Sequence, residues 1–108
     1  MSKLLLQDKV AIVTGGGRGL GEAIARAYAA EGAKVIVSDI DAEAARQVAA
    51  SLPGASAVAC DVRVPAQVEA LVAAATQQHG RLDIMVANAG VARLSPLIAT
   101  SYEQWREV

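Results

Sequence analysis

Five glycines fall within seven residues, Gly15 to Gly21, inside the stretch VAIVTGGGRGLGEAIARAYAAEGAKVIVSDID that runs from Val10 to Asp41. A short, continuous, β-branched run precedes them (KVAIVT, Lys9–Thr14), the pattern of a strand buried on both faces. A helix-like run follows, with Leu20, Ile24, Ala27 and Tyr28 at helical spacing and Gly32 as its stop. A glycine turn between a strand and a helix aims backbone N–H groups, at the positive end of a helix dipole, toward an anion. A Cβ there would block the turn or hold a phosphate away. The loop is read as built for close approach of a phosphate; the plain alternative is a glycine turn with no ligand.

Spacing narrows the choice of phosphate ligand. Gly16 and Gly21 have the gap of a nucleoside-triphosphatase loop, but Glu22 stands where that loop needs Lys, so this reading fails. G-x-G-x-x-G also fails: Gly15 and Gly17 fit, and Leu20 takes the third place. The pattern that fits is T-G-x3-G-x-G, on Thr14, Gly15, Gly19 and Gly21. Asp39 closes the next apolar run, KVIVSD, eighteen residues after Gly21. An acid there can accept hydrogen bonds from both adenosine ribose hydroxyls and repels a 2′-phosphate, which favours NAD over NADP. Arg18 argues weakly the other way, since a cation in the loop could meet a 2′-phosphate. The plain alternative for Asp39 is a solvated strand end, or a cap shared with Asp41.

The rest of the chain alternates short apolar and amphipathic runs. Asp41 caps a helix through AEAARQVAASL, which ends at Pro53-Gly54. SAVACDV (Ser56–Val62) is a third strand. Pro65 opens a helix through AQVEALVAAATQQH, ended by Gly80. LDIMVANAG (Leu82–Gly90) is a fourth strand, and TSYEQWREV opens a last helix with Thr100/Glu103 or Ser101/Gln104 as a capping box. Strands separated by helices of this length pair in parallel through right-handed crossovers. The expectation is one α/β domain over 1–108, a doubly wound parallel sheet in strand order 3-2-1-4, with ligands beyond the carboxyl ends of strands 1 and 4. Strand 4 is strongly apolar and nothing after it covers its far edge, and the chain stops inside its last helix. It reads as a truncated piece of something longer.

Composition agrees and excludes. A 54% apolar fraction fits a globular protein, and Ala fills the space that scarce aromatics (3%, no Phe) leave. Net charge is −1 with no basic patch, so nucleic acid is not an expected partner. The apolar run Leu4–Leu6 is too short for a signal-peptide core or a membrane span. Cys60 is the only cysteine, consistent with a reducing compartment, and a cytoplasmic location is the default. No cluster of His, Cys or carboxylates has metal-ligand spacing.

TGGGRGLG resembles the cofactor loop TGxxxGxG of the classical short-chain dehydrogenase/reductase family. CDV (Cys60–Val62) is similar to that family's segment after strand 3, whose acid meets the adenine amino group; Asp61 would carry that role. ANAG (Ala87–Gly90) is similar to NNAG, which supports the central sheet along the nicotinamide ribose. Ala87 replaces the first Asn, while Asn88, Ala89 and Gly90 match. The resemblance implies a three-layer Rossmann-type fold, NAD(P) binding, with NAD ahead of NADP on account of Asp39, and hydride transfer between the cofactor and a small alcohol or carbonyl substrate. It also implies a homo-oligomer, tetramer or dimer, at full length. Cofactor-binding residues carried over are Thr14, Gly15, Gly17, Arg18, Gly19, Leu20, Gly21, Asp39, Ile40, Asp61, Val62, Asn88, Ala89 and Gly90.

The family's Ser and Tyr-x3-Lys are missing. Four residues after Tyr28 is Gly32, four after Tyr102 is Arg106, and Lys3, Lys9 and Lys34 fit no such pattern. No catalytic residue is carried over, and the chain reads as the cofactor-binding half of a dehydrogenase. The competing reading is a catalytically inactive dinucleotide-binding module. A weaker one is an S-adenosylmethionine methyltransferase, whose ligand lacks the pyrophosphate that so glycine-rich a loop suits. The remaining singular residues have plain readings. Tyr28 is packing, His79 a helix-end cap, Cys60 a small buried apolar residue, Trp105 packing or a subunit contact, and Ser95-Pro96 a turn. Thr14 either ties the loop to its neighbours by its hydroxyl or is simply a strand former.

Overall fold

A computed structural model describes residues 4–88. The elements are β1 (Val10–Thr14), α1 (Gly19–Ala30), β2 (Lys34–Asp39), α2 (Ala42–Ala50), β3 (Ser56–Ala59), α3 (Pro65–His79) and β4 (Ile84–Ala87). All strand pairs are parallel and the order is β3-β2-β1-β4, as the alternation of runs predicts. β1 sits between β2 and β4, with Thr14 opposite Ser38 on one side and Ala87 on the other. Every residue of β1 is buried, which is why its sequence is apolar throughout instead of alternating.

Period-two alternation inside β1 and β2 sorts the core into two halves. Val13, Val35 and Val37 pack with Ala25 of α1 and Ala45, Val48 and Ala49 of α2. Val10, Ile12 and Ile36 pack with Cys60 and with Leu71 and Ala75 of α3. Two helices therefore cover one face and one covers the other, giving three layers. Alanines at the helix contacts let the helices lie close on a valine sheet. Among the described residues no helix is long and apolar enough to cross a membrane.

Helix ends follow local chemistry. Asp41 caps α2 by accepting from the Ala44 N–H at 3.1 Å, as expected. Pro65 stands at the start of α3, and Gly80 ends it at φ 75°, donating its N–H to the Thr76 carbonyl. His79 lies in that last turn as expected, but its Nε2 is buried without a hydrogen-bond partner among the described residues.

Two strands are shorter than their apolar runs. The expected Ser56–Val62 strand ends at Ala59. The Cys60 N–H still donates to the Asp39 carbonyl, but Asp61 then folds the chain back, accepting the Arg63 N–H two residues on. The expected Leu82–Gly90 strand is Ile84–Ala87. Beyond Ala87 the Asn88 N–H turns from the backbone ladder to the Thr14 hydroxyl. The capping box at Thr100–Gln104, like Trp105 and Ser95-Pro96, lies outside the described residues.

Candidate functional site

The carboxyl ends of β1, β2 and β4 meet the start of α1, and the glycine loop fills the angle between them. Gly15 and Gly19 both have positive φ (62° and 58°), so the loop reverses twice within five residues before the helix begins. At Gly21 the need is for space. A Cβ there would stand 2.7 Å from the Gly15 carbonyl carbon and 2.8 Å from Asn88 Nδ2. At Gly19 a Cβ would meet nothing within 4 Å, so that side of the loop is open.

The open side presents donors. α1 has no side-chain cap: Arg18 holds the N-cap position in extended backbone, and the first helical bond runs from the Glu22 N–H to the Arg18 carbonyl. The N–H groups of Gly19, Leu20 and Gly21 lie ahead of that bond and have no acceptor within the helix. Free N–H groups, the positive end of the dipole and an unobstructed approach fit a pyrophosphate.

Asp39 is buried, 8% exposed, at the end of β2. Its Oδ2 accepts the Gly17 N–H at 3.0 Å and its Oδ1 accepts the Asp41 N–H at 3.0 Å. The carboxylate is thereby fixed against the loop, with further lone pairs left for a ligand hydroxyl. The Gly16 N–H donates to the Ser38 carbonyl at 2.9 Å, a second tie between loop and β2. Leu20, at the start of α1, and Ile40, next to Asp39 in the chain, are 67% and 64% exposed. Exposed apolar side chains next to the loop can pack on the flat face of a ring.

Thr14 resolves in favour of the hydroxyl tie. Its Oγ1 donates to the Val86 carbonyl at 3.1 Å and accepts the Asn88 N–H at 3.0 Å, while Asn88 Nδ2 donates to the Gly15 carbonyl at 3.4 Å. β4 is clamped to the glycine loop by these bonds. Asp61 follows β3 at the same edge. Arg63 binds it through the backbone N–H and through the guanidinium, at 2.9 Å to each carboxylate oxygen, and this holds the Asp61 carboxyl below the usual range. Val62 packs against the α3 side of the core. Burial pushes the Cys60 thiol up, with a smaller contribution from the Asp61 charge, in keeping with a packing role.

Of the predicted site residues, Thr14, Gly15, Gly17, Arg18, Gly19, Leu20, Gly21, Asp39, Ile40 and Asn88 come together. Asp61 and Val62 sit one strand further along the same edge. Ala89 and Gly90 lie outside the described residues. Sequence reasoning did not assign Arg63 to Asp61, although an acid with a residue two positions on is the spacing of an Asx turn. It also read Asp41 only as a cap, whereas Asp41 Oδ2 pairs with Arg18 at 2.7 Å. Among the described residues no group of three His, Cys, Asp or Glu could hold a metal ion.

Sheet order, crossovers and the loop at the β1–α1 turn define a Rossmann-type α/β domain. The family model for short chain dehydrogenases matches residues 9–108, and the chain belongs to that family. It is 44% identical over 104 residues to a galactitol 2-dehydrogenase of Agrobacterium fabrum, covering 95% of this chain and 41% of that protein. It is 45% identical over 104 residues to a D-threitol dehydrogenase of Mycolicibacterium smegmatis, covering 93% and 40%. The chain thus spans about two fifths of the length of these relatives. Among solved structures, a 3-ketoacyl-(acyl-carrier-protein) reductase from Brucella melitensis complexed with NADH matches with a TM-score of 0.76 and 45% identity, over 79% of this chain and 35% of that one. A hydroxysteroid dehydrogenase from Escherichia coli matches with a TM-score of 0.77 and 42% identity, over 81% and 37%.

Proposed function

We propose that this chain is the N-terminal, dinucleotide-binding portion of an NAD-dependent oxidoreductase acting on a secondary alcohol or its ketone. The cofactor accepts or donates the hydride; the residues described here bind and orient it. Gly19, Leu20 and Gly21 offer N–H groups to the pyrophosphate. Asp39 accepts from the adenosine ribose, Asp61 meets the adenine end, and Thr14 with Asn88 holds the loop at its nicotinamide side. Ser and Tyr-x3-Lys would come from the portion that the longer relatives have and this chain lacks. The names of two relatives, a galactitol and a D-threitol dehydrogenase, make polyols the substrate class to try first. A cytoplasmic homo-oligomer completes the reading, supported by the lone buried cysteine and by family membership.

The observation that carries the choice of NAD is Asp39, buried at the end of β2 and bonded to the Gly17 N–H. A fixed carboxylate at the ribose disfavours a 2′-phosphate. Asp39→Ala is expected to weaken NADH binding about tenfold or more and to relieve discrimination against NADPH, read by titration of each cofactor. Tighter binding of NADPH than NADH by the unaltered protein would overturn the assignment.

A further inference from the structure

Two acids and one base meet beside the position that decides between the two dinucleotides. Asp39 and Asp41 are joined through the Asp41 N–H to Asp39 Oδ1 bond. Asp41 spends its own carboxylate twice: Oδ1 accepts the Ala44 N–H at 3.1 Å and Oδ2 accepts from the Arg18 guanidinium at 2.7 Å. Arg18 is the residue between Gly17, which donates to Asp39, and Gly19, at the open side of the loop. A guanidinium in this place is the natural partner of a 2′-phosphate. In this structure it is already held by a carboxylate.

We propose that Asp41 is a second determinant of cofactor choice, which acts by holding Arg18 in an ion pair and adding a negative charge beside Asp39. This rests on the reading of Asp39 as the ribose ligand. With Asp41 charged, the cluster of Asp39, Asp41 and Arg18 carries a net −1, and its one cation is engaged. With Asp41 neutral, the cluster is balanced and Arg18 is released toward any phosphate at the ribose. Both partners are substantially exposed (side chains 70% and 45%), so the effect is moderate and screened by salt.

The test is binding of NADH and NADPH to the purified protein, by calorimetry or cofactor fluorescence. Asp41→Asn keeps an oxygen for the Ala44 cap while removing the charge; Asp41→Ser is a second cap-competent variant should the first fold poorly. The ratio of the NADPH to the NADH dissociation constant is expected to fall by about fivefold at low salt and by less as salt rises. Arg18→Gln in the Asp41→Asn background is expected to reverse that fall. A ratio within about twofold of the unaltered protein's overturns the proposal. So does a lowered ratio that survives loss of Arg18. Unaltered protein that prefers NADPH, or an Asp39→Ala variant with undiminished NADH affinity, would instead strike the underlying reading of Asp39 and the proposal with it.

Discussion

Gly21→Ala tests whether the loop is shaped by close approach or merely by flexibility. Gly21 lies in the first turn of α1, and at an open helical position the change would stabilise by about 1 kcal/mol. Here the added methyl would collide with the Gly15 carbonyl and lie 2.8 Å from Asn88 Nδ2. The first obstacle is backbone, and the second is a side chain already bonded to that same carbonyl. Neither gives way without moving the loop off β4. Overpacking costs about 1–3 kcal/mol, and a backbone obstacle argues for the upper end. Set against the helix gain, the net loss is about 2 kcal/mol. For a domain of this size that lowers Tm by roughly 8–16 °C. Scanning calorimetry of the two proteins without cofactor measures it directly. Gly19→Ala is the control. It costs about 1 kcal/mol for its positive φ and meets no neighbour. Its main effect is expected on NADH affinity, because the methyl faces the open side. A Gly21→Ala protein as stable as the parent would refute the close-approach account.

Thr14→Val removes the hydroxyl that Val86 and Asn88 share and leaves a part-buried N–H without its partner; a loss of about 1–3 kcal/mol in urea denaturation is expected, with Thr14→Ser retaining most of it. Asp83 is the basis of a pH prediction. The Arg81 guanidinium, then the Val10 N–H, hold its carboxyl below the usual carboxylate range. A depressed carboxyl contributes stability that is complete above the unfolded value near pH 4 and is lost as pH falls through the folded value. Denaturation midpoints of the parent and Asp83→Asn should therefore differ most near neutrality and converge as the solution is acidified below about pH 4. A gap that does not change with pH would rule this out.

What the sequence made legible was local. The β1 and β2 runs, Asp41 as a cap and Gly32 and Gly80 as stops each depend on a few neighbouring residues, and all stand where their chemistry puts them. Sheet order followed because parallel strands with helical crossovers leave few topologies. What stayed hidden depends on pairs far apart in the chain. Asp83 falls inside the expected Leu82–Gly90 strand, yet it precedes β4 and accepts the Val10 N–H, 73 residues away. Arg18 reads as a cation that could meet a 2′-phosphate, and the partner it has, Asp41, lies 23 residues on. The end of β4 is hidden for the same reason: the hydroxyl that draws off the Asn88 N–H belongs to Thr14. Apolar runs mark where a strand could extend, whereas its end is set by whichever partner competes for the next N–H.

The clamp between Asn88 and the glycine loop also bears on the order of assembly. Gly15 and Asn88 are separated by 73 residues, so their contact closes nearly the whole described chain into one loop. Contacts of such high sequence separation bear the largest closure entropy and form once intervening structure has shortened the path. The glycine loop is consequently finished by the most distant of its neighbours and not by the turn and helix that contain it. A ligand that needs the finished loop must then stabilise the sheet from β2 across to β4, and its occupancy reports on the cooperative fold of the whole unit.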